Sequence, residues 1–481
     1  MNLNAYEAVI GLEVHAELKT QSKIFCSCST AFGGAANTQC CPICMGLPGA
    51  MPSLNRRAVE LAVMAGILLH CKIAPISRID RKQYFYPDLP KAYQISQGDF
   101  PLCRNGYLEF EAGGKLCRVG IARIHIEEDA GKLMHLSDRS LVDYNRCGIG
   151  LIEIVSEPSL RSGEEAAQYL KALRSLLSAC EISDCKMQEG SLRCDVNVSV
   201  RKKGSDTLGV RTEIKNLNSF AFVQKAIDYE FCRQCELLEQ GKPMVAETRR
   251  FDPAIGKTYV MRTKETVSDY RFLVEPDLLP IAVSDQDIER IAREIPELPQ
   301  ARSERLIREF DIRKGDADVL VSDPMLADYF ETVAKHTNFS GTALNLILGE
   351  LLRMNEGDAF STPILPSRLA ELADFLGEGT INHSTAKKLL GRLSTADFDL
   401  ASVIKSENLG QIRDEATLQA VVREVLLKNA RAVNDYRGGK TAALRALQGQ
   451  AMAKTAGRAD PVLLERLLLA ALQEESNEKG E

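Results

Sequence analysis

The stretch Val9-Ile10-Gly11-Leu12-Glu13-Val14-His15-Ala16-Glu17-Leu18 decides how the first part of the chain folds, because apolar and polar residues alternate along it. Side chains of a β-strand point alternately to its two faces. The stretch therefore predicts a strand with one face in a core. Its other face carries the His15 imidazole between the carboxylates of Glu13 and Glu17. An alternative is a half-exposed strand whose polar face only meets water.

The same alternation recurs in four later segments, which begin at Arg118, Leu151, Leu192 and Val210. The polar positions of these segments are occupied by Arg123, His125, Glu127, Glu153, Arg193, Asp195, Asn197, Arg211, Glu213 and Lys215. Segments with one apolar and one charged face are typical of an antiparallel sheet that is covered on one side only. If the charged faces share one side, they form a floor of carboxylates and cations.

A floor of this composition suits a divalent cation and phosphate groups. Carboxylate oxygens select hard ions such as Mg²⁺, which usually binds together with nucleotide phosphates that Arg and Lys contact. The sequence contains neither a P-loop motif nor a Rossmann glycine pattern, so a nucleotide site would be built from the sheet face. The segment Asp80–Lys91 mixes cations with aromatic rings, and its prolines exclude a helix. It predicts either a nucleotide-contacting loop or a packed surface loop.

Composition places the chain among soluble globular proteins with more than one domain. The chain has 481 residues, of which 45% are hydrophobic and 26% charged. It contains no apolar run of about 18 residues and its first residues lack the features of a signal peptide, so we expect no membrane contact and a cytoplasmic location. The net charge of −6 excludes a global basic field, and any contact with nucleic acid must be local.

Four cysteines near the N-terminus, Cys26, Cys28, Cys41 and Cys44, form two close pairs separated by a short loop. The chain has 14 cysteines in all. In a cytosolic protein this content favours thiols and metal ligands over disulfides. The spacing of the two pairs is typical of a tetrahedral structural Zn²⁺ site. Cys40 is a possible substitute for Cys41, and scattered reduced thiols are the alternative to a metal site.

The second half of the chain favours helices. Apolar residues recur at helical spacing after Pro299, and strand signals are few. Within 423–458, eight cations (Arg423, Lys428, Arg431, Arg437, Lys440, Arg445, Lys454 and Arg458) stand against two acids. This predicts either a local patch for an RNA backbone or a solvated charged face. We therefore predict an α+β protein: an antiparallel-sheet cradle domain with helices (1–294), an all-α domain (295–405) and a small helical tail domain (406–481).

Several blocks of the sequence resemble a known family closely. They include Gly11–His15, the four cysteines, Asp80–Lys82, Tyr84–Lys91, Tyr93–Gln97, Glu127–Lys132, Asp143–Arg146, Glu153–Pro158, Gly190–Asp195, Lys215–Phe220 and Glu247–Phe251. In this order and over essentially the whole length, they resemble the GatB family, the B subunits of bacterial aspartyl/glutamyl-tRNA amidotransferases.

The resemblance implies an activity, cofactors and partners. It implies ATP- and Mg²⁺-dependent activation and amidation of the side-chain carboxylate of Glu-tRNA(Gln) or Asp-tRNA(Asn). It further implies a heterotrimer whose other members are an amidase subunit, which releases ammonia from glutamine, and a third, small subunit. The tail domain is expected to contact tRNA. Structural Zn²⁺ is implied at the four cysteines.

The resemblance also implies roles for individual residues. His15, Glu128 and Glu153 match the family's Mg²⁺ ligands, with Glu13 beside them in the catalytic set. We add Asp195 for a metal–water contact, and Arg193 and Lys82 as cations for phosphate. Strand parity disagrees at one position, because it groups Glu127 rather than Glu128 with Arg123 and His125. Glu127 therefore remains the alternative metal ligand.

Two other functions compete with this one. In a non-catalytic tRNA-binding scaffold, the carboxylates would only be structural. A free-standing glutamine-dependent synthetase is disfavoured because the sequence has no Ser-Ser-Lys amidase motif and no N-terminal nucleophilic cysteine. Glutamine hydrolysis would then have to come from a partner.

Overall fold

The computed structural model describes residues 3–215, 217–263, 270–355 and 360–477. The chain divides into two compact units, Met1–Leu298 and Pro299–Glu481. The boundary lies close to the predicted end of the cradle domain, while the further division of the helical half at residue 405 stays a prediction. Asn216, inside the motif Lys215–Phe220, lies outside the described residues.

The first unit contains all the named strands. They are β1 (Tyr6–Glu17), β2 (Lys72–Ile73), β3 (Ile76–Ser77), β4 (Asp80–Gln83), β5 (Tyr93–Ser96), β6 (Cys103–Ala112), β7 (Lys115–Glu128), β8 (Lys132–His135), β9 (Ser140–Asp143), β10 (Gly150–Ser156), β11 (Leu192–Lys202), β12 (Thr212–Lys215), β13 (Glu247–Asp252), β14 (Lys257–Thr263), β15 (Leu273–Val274) and β16 (Ile281–Ala282). Four helices accompany them: α1 (Arg56–Leu68), α2 (Gly163–Ala179), α3 (Phe220–Glu239) and α4 (Asp285–Glu294). A 3-10 turn, Leu3–Ala5, precedes β1.

Strand β1 lies at the centre of a nine-stranded sheet with the order β14-β13-β12-β11-β1-β10-β7-β6-β2. Neighbouring strands are antiparallel except β12 and β13, which are parallel. The chain between these two strands contains α3, as a parallel connection requires. Smaller sheets are β15-β4-β5, β16-β3 and β8-β9.

The apolar positions of the strands lie in one hydrophobic cluster with the helices. Leu12 and Val14 of β1 are buried there together with Leu61 of α1, Leu173 of α2 and Val223 of α3. Burial of apolar surface is the main stabilising contribution in such a cluster. Because the helices cover the apolar face of the sheet, the polar positions of the central strands are left on the other side, as the alternation predicted.

The second unit is helical, so the α+β fold with a helical C-terminal half is confirmed. Its helices are α5 (Pro299–Phe310), α6 (Lys314–Val321), α7 (Pro324–Ala334), α8 (Ser340–Leu346), α9 (Leu352–Met354), α10 (Pro366–Gly377), α11 (His383–Leu393), α12 (Leu400–Ser406), α13 (Glu415–Lys428), α14 (Ala430–Arg437), α15 (Ala442–Lys454) and α16 (Pro461–Asn477). A π-helical segment, Ile347–Leu351, joins α8 to α9. Two hydrophobic clusters form its interior, one within 306–404 and one within 418–472.

Among the described helices, none combines the length and the apolar character needed to cross a bilayer.

Candidate active site

The register of the central strands brings polar residues from distant parts of the sequence into one row. His15 of β1 pairs with Glu153 of β10, and Glu153 pairs with His125 of β7. On the other side of β1, Glu13 pairs with Asp195 of β11. Residues that pair directly across strands share a face of the sheet. The predicted floor of charged residues therefore exists on the face opposite the helices.

Three of these side chains form a cluster with the geometry of a cation site. His15, Glu127 and Glu153 each offer a ligand atom, and these atoms all lie within 4.8 Å of one another. The His15 Nε2 is 3.8 Å from Glu153 Oε2. Two carboxylates and one imidazole are suitable ligands for a divalent metal ion. The donor set thus fits the Mg²⁺ that the resemblance implies.

His125 lies directly beside this cluster and is almost fully buried. Its Nε2 is 3.0 Å from Glu127 Oε1 and 3.0 Å from Glu153 Oε2. Burial alone would lower the pKa of His125. The hydrogen bonds to Glu127 and Glu153 outweigh it and raise the pKa to about 9. Burial likewise acts to raise the pKa of Glu127, but the His125 hydrogen bond holds this pKa well below its usual range.

The cluster opens into a cavity of about 820 Å³ on the polar face. The lining includes the acids Glu13, Asp195 and Glu213, the cations Lys82, Arg104, Arg123 and Lys215, and the rings of Tyr270 and Phe272. Cavities of about 300–1,000 Å³ accommodate small-molecule ligands. The cavity therefore combines a cation site, phosphate-binding cations and aromatic rings.

Hydrogen bonds hold the acids of the cavity floor in place. Lys215 Nζ lies 2.6 Å from Asp195 Oδ2 and 3.1 Å from Glu213 Oε1. Asn197 donates to Glu13 Oε1 at 2.9 Å. Burial, followed by the charge of Glu153, raises the pKa of Glu13. Glu13 thus resists ionisation more than an exposed carboxyl group.

Five predicted site residues lie together in this cavity: Glu13, His15, Lys82, Glu153 and Asp195. Glu128 does not join them. Its carboxylate accepts hydrogen bonds from Lys91 Nζ at 2.7 Å and from the Ile95 backbone N–H at 2.8 Å. It shares the parity of Ile126, which faces the core, and the pairing of β7 with β10 shows no register shift between Arg123 and Glu128. The expected placement of Glu128 is therefore wrong, and Glu127 occupies the cluster, as strand parity indicated.

Arg193, predicted to contact phosphate, lies in a neighbouring ion cluster instead. Its Nη2 is 2.7 Å from Asp129 Oδ2, and Arg146 approaches the same oxygen to 3.6 Å. Arg193 is not among the residues that line the cavity. Its place as the second phosphate-binding cation falls to Lys215, whose position on the polar face of β12 the alternation had identified.

Two positioning residues were missed at the sequence level. Ser96 Oγ donates to Glu127 Oε1 at 2.8 Å, and Gln94 Nε2 donates to Glu127 Oε2 at 3.2 Å. Both belong to β5, which lies in a different sheet from β7. Their presence in the family-like block Tyr93–Gln97 was the only sequence signal, since pairing within one sheet cannot reveal contacts between sheets.

The four cysteines form a second metal-type cluster, in the loop between β1 and α1. The Sγ atoms of Cys26, Cys28, Cys41 and Cys44 all lie within 4.8 Å of one another. The hydrogen bond with Cys26 lowers the pKa of Cys44 to about 4, so one thiolate is favoured in this group. Four converging thiols fit tetrahedral Zn²⁺. Cys40 is directed elsewhere, with its Sγ 3.2 Å from the Asn37 carbonyl oxygen.

Comparison with known proteins agrees with this geometry. The family model described as the GatB/GatE catalytic domain matches residues 8–289, and the one described as the GatB domain matches residues 328–472. The chain belongs to the GatB family. It is 50% identical over 476 residues to the B subunit of the aspartyl/glutamyl-tRNA(Asn/Gln) amidotransferase of Caldicellulosiruptor saccharolyticus, covering 97% of this chain and 99% of the relative.

Other relatives have the same name. The protein of Caldanaerobacter subterraneus is 51% identical over 467 residues (96% of this chain, 98% of the relative). That of Moorella thermoacetica is 49% identical over 470 residues (96% of this chain, 99% of the relative). The resemblance noted from the motifs is therefore confirmed. As a member of the GatB family, the chain is one component of a multi-subunit amidotransferase.

Proposed function

We propose that this chain activates the side-chain carboxylate of a misacylated tRNA with ATP and exposes it to ammonia. The expected substrates are Glu-tRNA(Gln) and Asp-tRNA(Asn), in the cytoplasm. Ammonia would come from glutamine hydrolysis by an amidase subunit, in a heterotrimer that also contains a third, small subunit. The observation that carries the proposal is the convergence of His15, Glu127 and Glu153 on the wall of a cavity that also contains Lys82 and Lys215.

The reaction needs activation because a carboxylate at neutral pH is a poor electrophile. A carboxylate oxygen of the aminoacyl group attacks the γ-phosphorus of ATP, the bond to the bridging oxygen breaks, and ADP leaves. Ammonia then attacks the carbon of the resulting acyl phosphate. The carbon–oxygen bond breaks, inorganic phosphate leaves, and the nitrogen loses a proton to form the amide. When bound, Mg²⁺ reduces the repulsion between the substrate carboxylate and the γ-phosphate.

The residues of the cavity divide this work by their chemistry. His15, Glu127 and Glu153 would hold the divalent cation. Lys82 and Lys215 would contact phosphate oxygens, and Asp195 orients Lys215 through its 2.6 Å ion pair. Glu13 lies next to the row formed by His15 and Glu153. Since its pKa is raised, it can hold or accept a proton near the acyl group.

The rings at the cavity edge suit the base of the nucleotide. Tyr270 and Phe272 both line the cavity, and Lys82 Nζ lies 5.0 Å from the centre of the Tyr270 ring. A cation beside an aromatic ring can contact a phosphate while the ring packs against a base. The four cysteines would bind Zn²⁺ in a purely structural role, since they lie outside the cavity lining.

A non-catalytic tRNA-binding scaffold is the second candidate. It is favoured by the exposed cations of the tail helices, among them Arg423 of α13 and Arg445 of α15. An RNA backbone attracts such residues. A scaffold, however, has no use for the convergence of His15, Glu127 and Glu153. We therefore assign the tail helices to tRNA contact within a catalytic chain.

Replacement of one cation ligand tests the proposal. Glu153→Ala in the reconstituted complex should abolish ATP-dependent amide formation on both Glu-tRNA(Gln) and Asp-tRNA(Asn), assayed side by side. Glutamine hydrolysis by the partner and tRNA binding should persist, because neither uses the cavity. Full transamidation by this variant would refute the catalytic proposal and leave the scaffold. Glu157→Ala, on the same parity but beyond the end of β10, is the matched control.

A further inference from the structure

The imidazole of His125 lies between two carboxylates that would hold the cation. His125 pairs directly across strands with Glu153 and stands two residues before Glu127 on the same face of β7. Only 3% of its surface is exposed. Its Nε2 contacts one oxygen of each carboxylate at 3.0 Å. A single nitrogen thus touches both acids of the cluster.

Hydrogen-bond chemistry fixes which nitrogen carries the proton. Ionised carboxylates only accept hydrogen bonds, so the Nε2 that faces them must be the donor. The other ring nitrogen, Nδ1, is buried and has no hydrogen-bond partner among the described residues. The ring is therefore held through Nε2 alone. Its orientation depends on the same two carboxylates that it contacts.

The surroundings show why a donor is needed at this point. Glu127 and Glu153 are only 2% and 8% exposed, so little water can screen their mutual repulsion. Ser96 and Gln94 donate to Glu127, but they do not contact Glu153. Of the described side chains, His125 is the one whose single nitrogen lies within 3.0 Å of both carboxylates.

We infer that His125 is a positioning residue: its Nε2–H holds Glu127 and Glu153 at the separation that a divalent cation needs before the ion binds. The inference rests on the proposed function, because it assumes that these carboxylates bind the ion. Partners behind metal ligands typically contribute about 10- to 100-fold in metal affinity. His125 itself needs no contact with the ion or with the substrate for this role.

Two amide variants separate positioning from simple space filling. In His125→Gln the side-chain Nε2 reaches about as far as the histidine Nε2, so the donor is kept. In His125→Asn the amide nitrogen stops near the Nδ1 position, and the carboxylates lose their donor. Both variants are polar and uncharged. They should therefore have similar costs in the buried site, which thermal unfolding of the reconstituted complex measures.

The readout is binding of Mn²⁺ as a probe ion to the nucleotide-free complex, followed by electron paramagnetic resonance. His125→Asn should weaken Mn²⁺ binding about 10- to 100-fold, while His125→Gln should stay within about threefold of the wild type. His70→Asn is a matched control, because His70 stacks on Tyr107 and does not line the cavity.

The outcomes distinguish this inference from the proposed function. If the wild-type complex binds no Mn²⁺, the proposed cation site fails and the inference fails with it. If the wild type binds Mn²⁺ and both amide variants bind equally well, only the role of His125 is refuted. Equal losses in both variants, with unchanged unfolding temperatures, would also refute it, because the retained donor of glutamine would then have no effect.

Discussion

The two metal-type clusters of the first unit are assembled in different ways. The cysteine cluster comes from a single loop, within residues 26–44, and its four Sγ atoms converge through local chain folding. The strand cluster takes His15, Glu127 and Glu153 from three strands, and only the register of the sheet brings them together. The comparison teaches that local spacing can identify a loop site completely. A strand site is identified only as far as parity and register are known.

The surroundings of the two clusters also differ. Lys23 is fully buried and its Nζ lies 3.8 Å from Cys44 Sγ, so a cation stands beside the thiolates. The strand cluster instead has a histidine between its acids and opens into the large cavity. A closed set of four ligands is typical of a structural ion, whereas an open set leaves room for substrate. The differences lead to four predictions.

The largest effect is expected from removing two ligands of the loop cluster. Cys26→Ser/Cys41→Ser should reduce the zinc content, measured by mass spectrometry of the purified complex, from one ion per chain to near zero. It should also expose the segment 26–44 to limited proteolysis, because the ion would no longer hold the loop. Glu153→Ala should retain full zinc content. Loss of zinc in that variant would contradict the independence of the two clusters.

The next effect concerns the buried pair on the opposite side of β7 from the strand cluster. Lys91→Met leaves the Glu128 carboxylate, which is fully buried, without its partner at 2.7 Å. We expect a loss of about 3–5 kcal/mol in the free energy of unfolding, measured by chemical denaturation. The double variant Lys91→Met/Glu128→Leu should recover most of this loss. A single variant as stable as Lys82→Met, which removes a cavity cation, would contradict a buried pair.

Adjacent glutamates should then differ in cation affinity. Glu127→Gln removes a ligand charge from the cluster, and Mn²⁺ binding should weaken at least about tenfold, or about 1.4 kcal/mol. Glu128→Gln should change Mn²⁺ binding little, because its carboxylate faces the core. Isothermal titration of both variants measures the difference. The reverse order of effects would restore Glu128 as the ligand.

The smallest effect should come from a pH dependence of the strand face. Burial, then the charge of Asp129, raises the pKa of Glu17 to about 8. A carboxyl group with a raised folded-state pKa stabilises the fold at low pH, and this contribution is lost as the pH rises from about 4 through about 8. Glu17→Gln should therefore flatten the decline in unfolding temperature between pH 5 and 9. An unchanged decline would exclude Glu17 as its source, since no titration of the loop cysteines is altered.

The sequence predicted the central strands because their faces differ so clearly. Alternation identified β1, β7, β10, β11 and β12, and placed their charged positions on one side. The strand β13 escaped because a buried cation breaks its pattern. Arg249 is 7% exposed and its Nε lies 3.0 Å from Glu230 Oε1 of α3. A charged residue paired inside the protein looks like a surface residue in the sequence alone.

The candidate site was predicted in composition but not in every residue. Parity alone identified Glu127, whereas the family resemblance favoured its neighbour. Arg193 has the correct parity, yet Asp129 binds it outside the cavity. Ser96 and Gln94 reach Glu127 from another sheet, which no pattern along a single strand predicts. Parity gives the face of a side chain, and only tertiary contacts decide its partner.

The pairing of β7 with β10 limits how this region can change during evolution. Between Arg123 and Glu128 every residue pairs in turn, with no bulge to absorb an extra residue. Deletion or duplication of one residue there would exchange the two faces, turning a cavity acid into the core and a core acid into the cavity. Lineages can therefore vary the side chains of this segment, but length changes within it should be absent or come in pairs.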